Sequence, residues 1–269
     1  MPRCAVLGSP IAHSLSPVLH HAAYADLGLT DWTYDAIDVG DTDLAGFVGA
    51  LGPEWLGLSL TMPLKREAMR LVGDRASSVA VRAGAANTLI RLDEGWWADN
   101  TDVPGAAAAI RERTEAAPRR AAVLGGGATA GSMVLALESL GCGEVVVMSR
   151  SQERSSEALG VSPITRWAPL DAALGGIELL ASTIPAEAQT PDLVAASGEA
   201  PIVFEVVYGG GATPLARAAR DRGAVLISGL DLLVHQAVLQ VSAMTSVPVG
   251  DVPMELMRAA GLAAMGRDG

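Results

Sequence analysis

A single lysine, Lys65, stands against eighteen arginines in this chain. Arginine keeps its charge at any working pH, whereas a compact amine can titrate, so a lone lysine marks a position suited to proton transfer. The alternative is a chance survivor of biased codon usage, and the neighbourhood decides between the two. Lys65 closes the run Leu60-Thr61-Met62-Pro63-Leu64-Lys65, one of three groups of polar residues beside expected strand ends. The others are the segment from Gly8 through Ser14 to Pro17, and the pair Gly84-Ala85-Ala86-Asn87-Thr88 with Asp99-Asn100-Thr101-Asp102. A lysine working with an aspartate such as Asp102 can give or take a proton and steady charge on an oxygen. Taken singly, the same residues suit ordinary turns: Ser16 as a helix N-cap, Asn87 as a turn residue, Asp102 as the cap of a helix from Val103.

A second signal is Gly125-Gly126-Gly127-Ala128-Thr129-Ala130, a G-x-G-x-x-A pattern directly after a strand-like run and before a helix-like one. The first glycine permits the tight turn, and the second lets backbone approach a pyrophosphate. The small last residue lets helix and strand pack closely, and the helix start favours the phosphate charge. A purely structural glycine turn would look the same, but its place between strand and helix favours a dinucleotide. An NAD site usually has an Asp or Glu at the end of the next strand. Here that strand ends in Ser149-Arg150-Ser151 with Arg154 close behind, while Glu144 lies at the strand's other end. Two arginines and two hydroxyls suit a 2′-phosphate that a carboxylate would repel, so NADP is the expected cofactor. A solvated helix start with incidental arginines is the alternative.

The elements needed to position these groups follow from the pattern. Strands are expected at 4–8, 32–39, 56–60, 88–92 and 96–99, with a hairpin turn at Asp93-Glu94-Gly95 and helices at 16–27 and 65–72. Residues 114–120 are polar and contain Pro118, as a surface link would, after an alanine-rich helix at 103–113. From residue 121 the alternation becomes regular, with strands at 121–124, 144–148, 177–181, 202–207 and 224–227 and a helix at 128–140. That alternation predicts an α/β fold with a parallel, doubly wound sheet. Helices at 230–243 and 254–264 are long enough to pack back on the first domain.

Composition narrows the class. The 269 residues suit two domains, half of them are hydrophobic, and the net charge of -11 has the wrong sign for a nucleic-acid partner. The uncharged stretch 121–137 has the length of a membrane helix, but its four glycines fit strand, turn and helix. The N-terminus lacks the basic start and long apolar run of a signal peptide, so a cytoplasmic protein is expected. Cys4 and Cys142 form neither a disulfide framework nor a metal-ligand spacing. His20 and His21 are adjacent on one helix and face different ways, His13 and His235 stand apart, and no metal site is expected.

Taken together and in order, these segments resemble the shikimate dehydrogenase family. That family carries a G-x-P-I-x-H-S-x-S-P start, an N-V-T-x-P-x-K segment, and G-A-x-N-T and N-T-D motifs. The resemblance runs on through the glycine turn, Tyr208 followed by Thr213-Pro214-Leu215, and Leu232-Leu233-Val234-His235-Gln236. It implies an N-terminal α/β substrate and catalytic domain, residues 1–103 joined by C-terminal helices at about 236–269. A Rossmann-type NADP domain would span 104–235. It implies reversible NADPH-dependent reduction of 3-dehydroshikimate to shikimate, on the route to aromatic amino acids. Lys65 and Asp102 would be the catalytic pair. Ser14 and Ser16 would bind the substrate carboxylate, and Thr61, Asn87, Asp102 and Gln236 the ring hydroxyls. Tyr208 would lie near carboxylate and nicotinamide. Ser182, Thr183, Val206 and Gly229 would line the cofactor site together with residues 125–130, Ser149, Arg150, Ser151 and Arg154. A homodimer is the candidate assembly.

The chemistry stands on its own terms: a ketone needs a hydride and a proton, and an arginine at 65 could not act as base. Four places depart from the family pattern. Ser59, His21 and Ser149 stand where Asn is usual, and Asp231-Leu232 replaces Gly-Met. These bear on affinity and cofactor preference more than on the reaction. The nearest rival is a quinate/shikimate dehydrogenase using NAD. A non-catalytic nicotinamide-binding regulator would be expected to lose the Lys–Asp pair.

Overall fold

Short segments, most of them rich in Ala, Val, Leu or aromatic residues, become the strands of two separate sheets. The computed structural model describes residues 1–173, 175–196, 200–209 and 211–266. The chain divides into two units, one of Met1–Thr101 with residues 233–266, the other of Asp102–Leu232. The last three residues of the span expected to close the first domain lie outside the described residues.

In the first unit the strands are β1 (Arg3–Gly8), β2 (Thr33–Asp38), β3 (Trp55–Leu60), β4 (Thr88–Leu92) and β5 (Gly95–Asp99), in the order β2-β1-β3-β4-β5. β1 runs parallel to both neighbours, and the last three strands are antiparallel. Leu7 pairs with Leu60, Ser59 with Thr88, and Thr88 with Asp99. This register brings the segments after β1, after β3, before β4 and after β5 to one end of the strands. Those segments carry Ser14 and Ser16, Thr61 and Lys65, Asn87, and Asn100 with Thr101. Leu7, Leu58, Leu64 and Leu89 are fully buried in the core beneath them, each contributing roughly 1.5–3 kcal/mol by leaving water. The helix Ser16–Asp26 packs on the helix Met254–Met265. Pro17 lies in its first turn, but the N-cap residue is Leu15 rather than Ser16, and the Ser16 N–H donates to the Ser14 hydroxyl at 3.3 Å.

The second unit holds β6 (Arg120–Leu124), β7 (Glu144–Ser149), β8 (Thr165–Pro169), β9 (Leu179–Ser182), β10 (Ile202–Glu205) and β11 (Val225–Ile227). All pair in parallel, in the order β11-β10-β9-β6-β7-β8. Counted from its first strand this is the doubly wound order 3-2-1-4-5-6, whose direction reverses between β6 and β9. Alternate residues serve opposite faces: Ala121, Val123, Val145, Val147 and Phe204 join one core, and Ala122, Leu124, Val146, Met148 and Val203 the other. Burial on both faces is why these strands are continuous apolar runs in the sequence. Among the described residues, no helix is long and apolar enough to cross a membrane.

Candidate active site

The first unit builds its site from turns tied to one another by backbone. Thr61 donates its N–H to Leu7 O at 2.9 Å, and Leu64 closes the turn back onto Thr61 O at 2.8 Å. Lys65 follows, half-buried, just before the helix Glu67–Val72. Its carbonyl accepts the Ala86 N–H at 2.7 Å, and Leu60 N–H donates to Asn87 O at 2.7 Å. The lysine turn and the asparagine turn are therefore held as one piece.

Asn87 is 2% exposed, and every polar atom of its side chain is engaged. Its Oδ1 accepts the Thr101 N–H at 2.8 Å and the Thr88 hydroxyl at 2.9 Å. Its Nδ2 donates to Thr101 Oγ1 at 2.9 Å and to Gln236 Oε1 at 3.2 Å. Gln236, 6% exposed, anchors its own Nε2 on Leu233 O at 2.9 Å. Asn100 completes the support, donating from Nδ2 to Ala85 O at 2.9 Å while Asp99 Oδ1 accepts its N–H at 2.7 Å. Asn87 and Gln236, 149 residues apart, are thus brought together. Thr88 and Thr101, named with the motifs but given no role, belong to the same network, as does Gln240, which the sequence reading did not single out. The available signal for Gln240 was its place one turn beyond Gln236 on the same expected helix. Asp102 is the first residue of the helix Asp102–Arg113 and is 6% exposed.

The second unit builds its site from a backbone turn. Gly125 sits at φ 113°, a conformation that side chains with a Cβ rarely adopt, and an added Cβ would lie 2.3 Å from the Thr183 hydroxyl. Its N–H donates to Met148 O at 2.8 Å, and Thr183 donates its N–H and its hydroxyl to Leu124 O at 2.9 and 2.8 Å. The turn is thereby fastened at the place where the strand order reverses. Gly127 is the N-cap of the helix Ala128–Ser139, with open space where a Cβ would be, and Ala130 is fully buried under the turn.

Gly125, Gly126 and Gly127 line a cavity of about 840 Å³ that also takes in Ser149, Arg150 and Arg154. Both arginines are exposed. Ser149 is not: its hydroxyl donates to Ser151 O at 2.6 Å and accepts from the Ser155 hydroxyl at 2.5 Å and Trp167 Nε1 at 3.1 Å. Its bonds fasten the loop that carries the arginines. The same cavity is lined by Ile184, Pro185 and Leu193, with Asp171 and Asp192, two acidic residues that lie away from the β7 end.

The remaining expected residues lie around the same strand ends. Ser182 is fully buried and accepts from Gln189 Nε2 at 3.2 Å, and Val206 N–H donates to Ser182 O at 3.0 Å. Gly229 opens the helix Gly229–Thr245 against the Val206 carbonyl. Tyr208 is half-buried in the loop after β10. Glu205 anchors that loop, accepting from Gln189 at 2.8 Å, Thr213 at 2.7 Å and the Val207 N–H at 3.2 Å. Burial raises its carboxyl above the usual range, against these bonds. Asp231, which stands where the family pattern has Gly, is an anchor. Its Oδ2 accepts the Ser228 N–H and hydroxyl, both at 2.8 Å, and its Oδ1 meets Arg113 at 3.0 Å. Among the described residues, no group of three His, Cys, Asp or Glu could hold a metal ion.

A parallel sheet in this order, with a glycine turn at its reversal point, defines a dinucleotide-binding protein of the Rossmann type. The profile of the shikimate dehydrogenase substrate binding domain matches residues 6–89. A shikimate dehydrogenase (NADP(+)) of Synechocystis is 34% identical over 268 residues, 91% of each chain. The crystal structure of Mycobacterium tuberculosis shikimate dehydrogenase superposes with a TM-score of 0.88 at 41% identity, covering 98% of this chain and 100% of that one. The shikimate 5-dehydrogenase of Thermus thermophilus in complex with NADP(H) and shikimate gives 0.87 at 29% identity, covering 98% and 100%. The chain belongs to the shikimate dehydrogenase family.

Proposed function

We infer that this chain catalyses the reversible NADPH-dependent reduction of 3-dehydroshikimate to shikimate, a step towards aromatic amino acids. The observation that carries the reading is the closed set Asn87–Thr101–Gln236, hydrogen-bonded to itself and tied through Ala86 to the turn of Lys65. Fixed amides and hydroxyls of this kind suit a small ring bearing several hydroxyls, because their remaining lone pairs and protons are held in one orientation for those hydroxyls to meet. In this reading Asn87, Gln236, Thr61 and Asp102 hold the ring hydroxyls, and Ser14 with Ser16 holds the carboxylate. The first unit is then the substrate domain and the second the cofactor domain.

The residues around the glycine turn fit NADP: bare backbone at Gly127, a helix start for the pyrophosphate, and Arg150 with Arg154 for the 2′-phosphate. When bound, NADPH supplies the hydride. Lys65 and Asp102, as the catalytic pair, handle the proton at the substrate oxygen and oppose the charge that develops there. Tyr208, Ser182, Thr183, Val206 and Gly229 complete the surroundings of the reacting groups. Both cysteines are buried free thiols, and we place the enzyme in the cytoplasm, where they would stay reduced.

The test is a two-by-two assay of shikimate or quinate with NADP⁺ or NAD⁺, following nicotinamide reduction by absorbance. Turnover mainly with shikimate and NADP⁺ is expected. A preference for quinate or NAD⁺ would overturn the specificity assigned here.

A further inference from the structure

Gln240 takes no part in the chemistry above, yet it is 1% exposed and uses both ends of its amide. From Leu233 onward, Gln236, Gln240 and Met244 recur every four residues on the helix Gly229–Thr245 and share one face. That face lies against β3 and β4. Gln236 meets Asn87, and Met244 packs so closely on β3 that a Cβ at Gly57 would fall 2.3 Å from its Cγ. Between them, Gln240 donates from Nε2 to Asn87 O at 3.1 Å and to Thr88 Oγ1 at 3.0 Å. Its Oε1 accepts the Ser59 hydroxyl at 2.7 Å, and Ser59 in turn accepts the Tyr34 hydroxyl at 2.6 Å.

Backbone groups fix the polarity of the whole chain of bonds. Asn87 O can only accept, so Gln240 presents its NH₂ there and its oxygen to Ser59. The Thr101 N–H can only donate, so Asn87 presents its oxygen there and its NH₂ to Gln236. Leu233 O can only accept, so Gln236 receives that NH₂ on its oxygen. With Gln240 donating to Thr88 Oγ1, the Thr88 proton is left for Asn87 Oδ1. All three amides are thereby fixed in orientation, while the Thr101 hydroxyl has two acceptors in reach, Asn87 Oδ1 at 3.2 Å and Gln236 Oε1 at 3.4 Å, and a buried network of this kind specifies the side-chain geometry.

We propose that Gln240 is a positioning residue: it rivets the helix to β3 and β4 in the one register that brings Gln236 onto Asn87. The proposal rests on the functional reading only for the identity of the substrate. Its action is on substrate affinity, through Gln236 one helical turn away and Asn87 beside it, and leaves the cofactor untouched.

The experiment compares wild type with Gln240→Met, which keeps length and apolar volume, and Gln240→Glu, which keeps the acceptor for Ser59 but loses donors when ionised. Two readouts are taken: the side-chain amide signals of Asn87 and Gln236 in ¹⁵N NMR spectra of the ligand-free protein, and the steady-state constants. In Gln240→Met both amide signals move, KM for shikimate rises about 10-fold, and KM for NADP⁺ and kcat stay within about threefold. In Gln240→Glu the defect shrinks as pH is lowered and the carboxyl regains a proton to donate, whereas the Met variant shows no such recovery. Unmoved amide signals overturn the proposal, as do moved signals with an unchanged KM for shikimate. Should Gln240→Met fail to fold, Ser59→Ala cuts the same rivet from the strand side, with about a threefold rise in KM expected and an unchanged KM counting against. If wild type turns over no shikimate while the amide signals still respond to Gln240→Met, the positioning stands and the functional reading fails.

Discussion

The two units build their proposed binding sites in opposite ways. The first uses side chains that are already bonded to one another: Asn87, Thr101, Gln236 and Gln240 are each at most 6% exposed, and their partners are mostly other side chains. The second uses backbone, a glycine turn fastened by Met148 and Thr183, and leaves its charged groups, Arg150 and Arg154, exposed at a cavity rim. Interior wiring discriminates by its fixed orientation: a ligand group that cannot match it goes unpaired, at a cost of about 1–3 kcal/mol per group. Rim charges discriminate by attraction and tolerate change in the rest of the fold. The difference teaches where each kind of specificity resides, and it can be broken from either side.

The largest effect is expected at Lys65. If the amine acts on the transition state, Lys65→Ala lowers kcat by about 10²–10⁴-fold while KM for shikimate changes little. Stopped-flow and steady-state rates with NADP⁺ measure both constants. A rise in KM with kcat preserved would make Lys65 another member of the binding network rather than the group that sets it apart.

Arg150→Ala comes next and addresses the other unit. Loss of a charge-assisted contact to a 2′-phosphate is expected to raise KM for NADP⁺ by about 10- to 100-fold and leave KM for NAD⁺ nearly unchanged. KM for shikimate should not move, since the interior network is intact. Arg154→Ala is expected to act in the same direction and more weakly. Equal losses with both cofactors would mean that the rim holds the pyrophosphate or shapes the loop, not that it reads the phosphate.

How much of this was legible depended on whether a residue's neighbours in space were also its neighbours in sequence. β6, the glycine turn and the helix Ala128–Ser139 follow one another directly, and strands buried on both faces are apolar throughout, so their boundaries are within a residue or two of expectation. β8 was not legible. Thr165-Arg166-Trp167-Ala168-Pro169 is an edge strand, half exposed and ended by a proline that donates nothing to a ladder. With β8 went the contact of Trp167 on Ser149, and so the finding that this hydroxyl braces the arginine loop. The carboxylates of Asp171 and Asp192 reach the cavity from the loop after β8 and the helix Pro191–Ala196, where no motif announces them. In the first unit the motifs named Asn87 and Gln236, but nothing local tied Gln240 to Ser59, 181 residues away.

The smallest effects concern stability, and they separate the units by pH. In the first unit, burial pushes the His20 imidazole down to about 3, against an upward pull from the Gln240 side chain. The ring is fully buried and stacked on Tyr34 at 3.7 Å, with neither nitrogen in a hydrogen bond of normal geometry. A group with a depressed pKa stabilises the fold above its unfolded value and loses that contribution as pH falls. For His20 the loss starts near its ordinary value of about 6.5 and continues to about 3. In the second unit Asp231 is also held low. Burial pulls its carboxyl up, but the Ser228 N–H and hydroxyl and the Arg113 guanidinium outweigh it. Its contribution therefore persists until pH drops below the ordinary carboxylate range, while Glu205, held high, favours the fold on the acid side. Thermal midpoints measured by circular dichroism from pH 7 to pH 4 test this. Relative to wild type, His20→Phe should gain steadily below about pH 6.5. Asp231→Asn should start about 1–2 kcal/mol less stable and stay so down to about pH 4. Parallel acid limbs in wild type and His20→Phe would show that His20 keeps an ordinary affinity for its proton, and the contrast between the two units in acid would vanish.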